Sequence, residues 1–354
     1  MTPTRGRGIL DVPGLALGHA GTLTRDRLTG VSVVLPPVGS TVGVDVRGGG
    51  PATHETDVLS PTAHGSGADA LVLTGGSAIG LRSVAGVSDA LAEAGRGFPA
   101  PRLPGTVIPL VPAAAIFDLG RGAGPVAPPT AAEGAAAAQA ALAALTEEAP
   151  TTPVRGSVGV GIGARAGVQT LRSSLGSVSI RLSAGYTVSA LVVANPFGTI
   201  GTEAGTLWAG PLLEAVGWDL PPLPSLPVPD LEAPLSAQNT TLAIIATDAR
   251  LDRAQVTALA AGGHPGIARA VRPSHTLIDG DTVFAVATGA RALPEDPAEA
   301  LPAVVEITAA AADAVTLAVL DALTSASPLA PAWEQPPTLV DIAPDFTAAF
   351  ADLP

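Results

Sequence analysis

Layered β-sheets with helices packed on the outside are the fold class this sequence predicts, and three observations carry it. Apolar, β-branched runs of strand length recur between Gly and Pro clusters. Alanine-rich stretches with helical spacing stand between them. The strict strand–helix alternation of a doubly wound parallel sheet is missing. In order, "VSVVLPPVGSTVGVDVR" (31–47) holds two β-branched runs split by Pro-Pro and Gly-Ser, which predicts a hairpin or two short strands. "ALVLTGGSAIGL" (70–81) predicts a buried strand that breaks at Gly75-Gly76, and "SVAGVSDALAEAG" (83–95) a helix stopped by glycine. Residues 130–148 form an Ala-rich helical stretch, followed by a strand pair near 156–163 and 176–194. The proline-rich 219–238 reads as a linker rather than packed core. Beyond it come a strand at 241–248, a helix near 253–261, a strand at 281–289 and a long helix at 300–325. The Pro-rich 324–354 tail is expected to wrap the surface, and no internal repeat is visible.

With 354 residues the chain has ample length for a sizeable core. Its 41 Gly and 35 Pro predict many short elements joined by tight turns. A net charge of −13 argues against nucleic acid as a partner. There is no Cys, which excludes disulfides, thiolate metal sites and a Cys nucleophile. All 18 basic residues are Arg, so a Schiff-base lysine, a P-loop lysine and a Ser–Lys dyad are excluded too. No metal or cofactor is expected, and the substrate is read as a small molecule. The N-terminal "MTPTRGRGILDVPGLALGHAG" lacks a continuous apolar run, so no signal peptide is read there. The most membrane-like stretch, 303–323, carries Glu306, Asp313 and Asp321 on one helical stripe. It reads as a mostly buried helix with one wet edge, not a membrane span. The expected location is cytoplasmic.

Several short patterns fall away. "GVGIGARAG" (159–167) lacks the GxGxxG spacing, and no Asp or Glu occurs from Ala149 through Thr202 to hold a ribose, so its glycines read as close-packing residues. "TGGSAIG" (74–80) misses the nucleophile elbow because Ile79 stands where the last glycine belongs, which leaves a Ser77 hydrolase using His54 a distant third reading. "THETD" (53–57) has no second histidine at zinc-binding spacing and reads as a loop that hydrogen-bonds itself. "IDGDTVF" (278–284) is by itself an ordinary turn signal. What lifts it is "QNTTLAIIATDARL", where a proline-rich stretch ends in Asn239-Thr240-Thr241 and a buried strand begins.

These two stretches belong to a longer series. "STVGVDVRGGGPATHETDVL", "ALVLTGGSAIGL", "VPAAAIFDLG", "SLGSVSIRL", "ALVVANPFGTIG", "QNTTLAIIATDARL" and "HTLIDGDTVFAVATG" follow in this order. Together, over roughly residues 8–325, they resemble the self-processing, DmpA-like family of peptidases. That family includes the L-aminopeptidase/D-esterases, the β-peptidyl aminopeptidases and the endo-type nylon-oligomer hydrolases. The Asn-Thr-Thr and Asp-Gly-Asp pair resembles the nylon-oligomer hydrolase branch most closely. The resemblance implies an αββα sandwich like that of N-terminal-nucleophile hydrolases, made as an inactive precursor. It places the cut between Asn239 and Thr240, giving an α-part, 1–239, and a β-part, 240–354, that together form one domain. It implies Thr240 as nucleophile, Asp279 and Asp281 as the residues that orient it, and Asn195 as oxyanion donor. It also implies a homo-oligomer, a tetramer of cut pairs.

The chemistry is coherent on its own terms. A threonine hydroxyl needs an adjacent base, and a freed α-amine with a pKa of about 7.7–8.0 is suited to the task at neutral pH. Charge-assisted hydrogen bonds from Asp279 and Asp281 would hold that amine and hydroxyl, while the Thr241 side chain points to the other strand face. This sequence departs from the family pattern at two pocket positions. The usual lysine is replaced by Val168 and the usual tyrosine by Phe117. Arg165 or Arg172 could restore the lost positive charge but cannot act as a base. The four arginines of 149–202 form either a cationic wall or a solvated surface. The alternative to an autoprocessed amide hydrolase is a chain that never matures and only binds small ligands.

Overall fold

The computed structural model describes residues 1–65, 67–146, 152–227 and 239–354. The strands are β1 (Thr2–Thr4), β2 (Ala16–Leu23), β3 (Leu28–Leu35), β4 (Thr41–Val46), β5 (Thr53–His54), β6 (Leu71–Thr74) and the short ribbon β7 (Phe98–Pro99) with β8 (Val107–Ile108). Then come β9 (Ala113–Ala115), a second ribbon of β10 (Arg165–Ala166) and β11 (Leu171–Arg172), β12 (Leu175–Arg181), β13 (Thr187–Val193), β14 (Leu242–Ala249) and β15 (Thr282–Arg291). The helices are α1 (Ser77–Gly80), α2 (Ser83–Glu93), α3 (Ala131–Ala144), α4 (Gly210–Ala215), α5 (Arg253–Ala270), α6 (Pro297–Thr324), α7 (Leu339–Ile342) and α8 (Pro344–Ala351).

One sheet runs β1-β12-β13-β14-β15-β4 and the other β2-β3-β6-β9-β5. Period-two alternation along each strand explains why they stack. On β14, Leu242, Ile244 and Ala246 face the second sheet, where they meet Leu17, Val34, Leu71 and Leu73. Ala243 and Ile245 face the opposite way, toward α5 and α6. On the second sheet Val31, Val33 and Val72 turn outward onto α2 and α3. The result is the αββα sandwich expected. Thr130 caps α3 in a reciprocal box with Glu133, and Asp252 caps α5 in another with Gln255.

Several expectations need correction. The runs of 31–47 are two strands but not a hairpin, because β3 and β4 belong to different sheets. Residues 159–163 form a 3-10 turn rather than a strand. Asp321 is not on a wet edge: it is buried, bridged by Arg5 at 2.8 Å and Arg155 at 2.9 Å, and accepts from the Ser177 N–H. α6 is long and apolar enough to cross a membrane, yet its second half is buried against β12, β13 and α5. The C-terminal tail does more than wrap, since Leu339, Phe346 and Phe350 enter the outer core. Of the expected linker, Leu223 and Leu226 are packed into that same core, and 228–238 lies outside the described residues.

Candidate active site

The parallel pairing of β14 with β15 builds the site. α5 carries the chain back so that both strands start at the same end of the sheet, with Leu242 opposite Thr282. Two and three residues upstream, the same register sets Thr240 beside Gly280 and Asn239 beside Asp279. β13 runs antiparallel on the other side with Val193 opposite Leu242, which brings Asn195 alongside Thr240. Three segments far apart in sequence therefore meet at one sheet end.

The bond between Asn239 and Thr240 is held from both sides. The Thr240 N–H donates to the Asn195 carbonyl at 2.8 Å, and the Gly280 N–H donates to the Asn239 carbonyl at 3.0 Å. The Thr240 hydroxyl donates to the same Asn239 carbonyl at 2.6 Å. Gly280 has a spatial reason to be glycine: a Cβ there would stand 2.7 Å from Thr240 Oγ1. Thr240 is only 4% exposed and Thr241 is fully buried.

The acids are close, but among the described residues neither hydrogen-bonds to Thr240. Asp281 Oδ1 accepts from the Thr241 N–H at 2.6 Å, and its Oδ2 accepts from the His275 backbone at 3.1 Å and faces His275 Nδ1 at 2.8 Å. Asp279 Oδ2 accepts from the Thr276 N–H and hydroxyl, and Oδ1 from the Phe197 N–H at 3.3 Å. Burial and the neighbouring Asp281 charge push the Asp279 carboxyl above its ordinary value. The Asn195 side chain is also turned from the Asn239 carbonyl. Its Oδ1 accepts from the Arg165 N–H at 3.0 Å, and its Nδ2 lies 3.4 Å from the Phe117 carbonyl. The donor on the Asn239 carbonyl is the Gly280 backbone, which side-chain reasoning could not reveal.

His275 is a residue the sequence reading missed. Burial opposes its cation, but the hydrogen bond and charge of Asp281 outweigh that, so it titrates above an ordinary histidine. Its ring packs edge-on against His264 at 4.8 Å between centroids. Burial lowers His264 to about 4, although its Nε2 lies 3.0 Å from the Asp45 carbonyl. The signal available was only a histidine six residues before Asp281.

Ala166 and Leu171 pair in the β10–β11 ribbon. Its turn is strained, with Val168 at φ 50° and Gln169 at φ 69°, rare for a β-branched residue. The N–H of Val168 is anchored on the Phe197 carbonyl at 2.9 Å. Arg172 is not solvated surface: it is 1% exposed, as is most of Arg121 nearby at 4%. Phe117 contributes its carbonyl, which also accepts from Arg121 Nη2 at 3.0 Å.

A buried hydroxyl stands against a peptide carbonyl just before a central strand of an αββα sandwich, and the family comparison makes the chain an amide-bond hydrolase. The chain belongs to peptidase family S58, whose model matches residues 7–334. It is 41% identical over 337 residues to a protein described as an uncharacterized aminopeptidase of Mycobacterium leprae, covering 91% of each chain. It is 31% identical over 319 residues to a 6-aminohexanoate-oligomer endohydrolase of Paenarthrobacter ureafaciens, covering 84% of this chain and 80% of that protein. Among solved structures, a Burkholderia sp. β-aminopeptidase superposes with a TM-score of 0.66 at 23% identity, covering 99% of this chain and 94% of that one. The L-aminopeptidase D-Ala-esterase/amidase of Ochrobactrum anthropi, described as a variant of the Ntn-hydrolase fold, gives 0.61 at 19% identity over 92% and 89%.

Proposed function

We propose that this amide hydrolase activates itself by cutting between Asn239 and Thr240 and then uses Thr240 as an N-terminal nucleophile. The observation that carries the reading is the Thr240 hydroxyl lying 2.6 Å from the carbonyl of the bond to be cut, with the Gly280 N–H on that same oxygen. In the first step Oγ1 adds to the Asn239 carbonyl carbon, and the Gly280 N–H takes up the charge developing on its oxygen. The C–N bond then breaks as the Oγ1 proton passes to the departing nitrogen, which keeps its place near the Asn195 carbonyl as a free amine. Water hydrolyses the ester left on Oγ1 to the Asn239 carboxylate and the restored hydroxyl. In turnover that amine accepts the Oγ1 proton as the hydroxyl attacks a substrate amide. The leaving amine receives a proton, and water again clears the acyl group. Asp281, bonded to the Thr241 N–H, and Asp279 fix the loop around the nucleophile. The substrates proposed are short peptides, amino-acid amides or linear oligoamides, the last supported by the nylon-oligomer endohydrolase relative. The test is a denaturing gel of purified protein followed by N-terminal sequencing. Two bands, the smaller beginning Thr-Thr-Leu-Ala-Ile, are expected. A single full-length band after prolonged incubation at neutral pH would support the ligand-binding alternative instead.

A further inference from the structure

Beside the nucleophile three arginines converge without a matching acid. Arg165 and Arg172 face each other across the β10–β11 ribbon, and Arg165 Nη2 reaches the Arg121 carbonyl at 3.4 Å. Their bonded acceptors among the described residues are all neutral. Arg121 donates to the Phe117 carbonyl and lies 3.4 Å from Asn195 Oδ1, Arg172 donates to the Ile162 carbonyl, and Arg165 to Gln169 and Gln335. Among the described residues, Nε and Nη1 of Arg121 and the Nε atoms of Arg165 and Arg172 are buried with no hydrogen-bond partner. The charge of Asp118 reaches Arg121 and that of Asp341 reaches Arg172, yet neither forms an ion pair with the cluster among the described residues. A buried guanidinium that lacks a counter-charge costs several kcal/mol, and buried donors are ordinarily satisfied. Burial, with mutual repulsion, lowers Arg121 to about 9 and Arg165 to about 10, and burial lowers Arg172 to about 10.

The cover over this cluster is thin. Gln335, half-buried on the strap between α6 and α7, presents Oε1 to Arg165 Nη2 at 2.7 Å and donates Nε2 to the Arg121 carbonyl at 2.9 Å. Its neutral oxygen stands where an anionic one would bind more strongly. Asn195 links the cluster to the nucleophile, because its carbonyl holds the Thr240 N–H while its Oδ1 meets the arginines.

We propose that Arg121, Arg165 and Arg172 form a carboxylate subsite that holds the free carboxylate end of a short amide substrate, displacing the Gln335 side chain. The assignment rests on the Thr240 reading above and deepens it: it makes the enzyme select small, carboxylate-terminated amides over neutral ones. Planar guanidinium forks suit a carboxylate in two-bond geometry.

Hexanoate contains no amide, so its binding is separable from hydrolysis. Calorimetry on the protein as purified should show one hexanoate site, with hexanamide about tenfold weaker or worse. Arg165→Gln and Arg172→Gln should each remove most of that difference. The thermal midpoint should rise with hexanoate in the wild type and not in the variants. Equal affinity for hexanoate and hexanamide, undiminished binding in both variants, or inorganic phosphate binding more tightly than hexanoate would each overturn the proposal. A parallel assay compares an oligoamide ending in carboxylate with the same oligomer ending in carboxamide. Hexanoate binding without hydrolysis of either oligomer would sink the Thr240 reading alone. Equal hydrolysis of both without hexanoate binding would sink the carboxylate subsite alone.

Discussion

Gly280→Ala isolates the geometry of the proposed cut from its chemistry. The Gly280 backbone φ does not lie in the left-handed region, so alanine can adopt it and only space is at issue. The new methyl would stand 2.7 Å from Thr240 Oγ1, 2.9 Å from the Gly50 carbonyl oxygen and 3.2 Å from Pro51 Cα. Ordinary carbon–oxygen contacts are longer, so the hydroxyl or the loop must move by some tenths of an ångström. Overpacking of this kind costs about 1–3 kcal/mol, and a displacement approaching 1 Å at a reacting atom costs about 10²-fold in rate. The donor on the Asn239 carbonyl is backbone and survives the substitution. We expect the variant to fold, to lose stability within that range, and to cut itself about ten- to hundredfold more slowly. The assay is intact-mass analysis over time at neutral pH, with calorimetric unfolding in parallel. Adding Thr240→Ala, which removes the obstructed oxygen, should return part of the stability and none of the cutting. A Gly280→Ala chain that matures at the wild-type rate would show that Thr240 Oγ1 does not react from this position.

Thr240→Ala should abolish cutting and hydrolysis while Thr240→Ser keeps some of each, checked by mass and by amide turnover; cutting at the same bond in the alanine variant would exclude Thr240. The two packed histidines should leave opposite marks on stability. His264, lowered to about 4, stays neutral in the fold, so stability falls as pH drops from about 6.5 toward 4, by at most about 1.4 kcal/mol per pH unit. His275, raised beside Asp281, contributes below about pH 6.5 and loses that contribution as pH rises through its elevated value. Denaturant unfolding across pH, with His264→Gln flattening the acid slope and His275→Gln the neutral one, checks both against the shared field of Asp45, Arg47 and Asp281. The absence of Lys supplies a fourth measurement. Mild amine-directed reagents should add one group to the uncut chain and two to the cut one, and labelling Thr240 should abolish turnover. Two labels with full activity would mean that another group takes the proton.

Much of the site was legible because it lies on regular elements. The Leu242–Ala249 strand and the Thr282–Arg291 strand both show unbroken apolar runs, and the Asp-Gly-Asp and Asn-Thr-Thr segments mark their starts. What could not be read was the hydrogen-bond direction at Asn195 and the donor role of Gly280, since a backbone N–H has no side-chain signature. The sequence predicts the helix after β14 only to 261, because Gly262-Gly263-His264-Pro265-Gly266 reads as a breaker. Packing overrides it. A Cβ on Gly266 would strike the Ala312 carbonyl at 2.3 Å, so these small residues let α5 press onto α6. Prolines dominate the composition of the tail and predict a surface wrap, while two phenylalanines four residues apart do the anchoring. The arginines had no visible partners in sequence, and burial could be assigned only when the ribbon and strap were placed.

The position of β14 has a consequence for how long the molecule lasts. It lies between β13 and β15, and β15 is itself covered by β4, so residues 240–354 are interleaved with strands from the other side of the proposed cut. Before cutting, an unfolded chain can return to its starting state by itself, because everything it needs is tethered. After cutting, reassembly would require two separate polypeptides to find each other at low concentration and thread two strands into the middle of a sheet. The cut molecule would therefore owe its persistence to the height of the barrier to opening rather than to a reversible balance. A brief heat pulse should then spare the uncut chain and permanently silence the cut one.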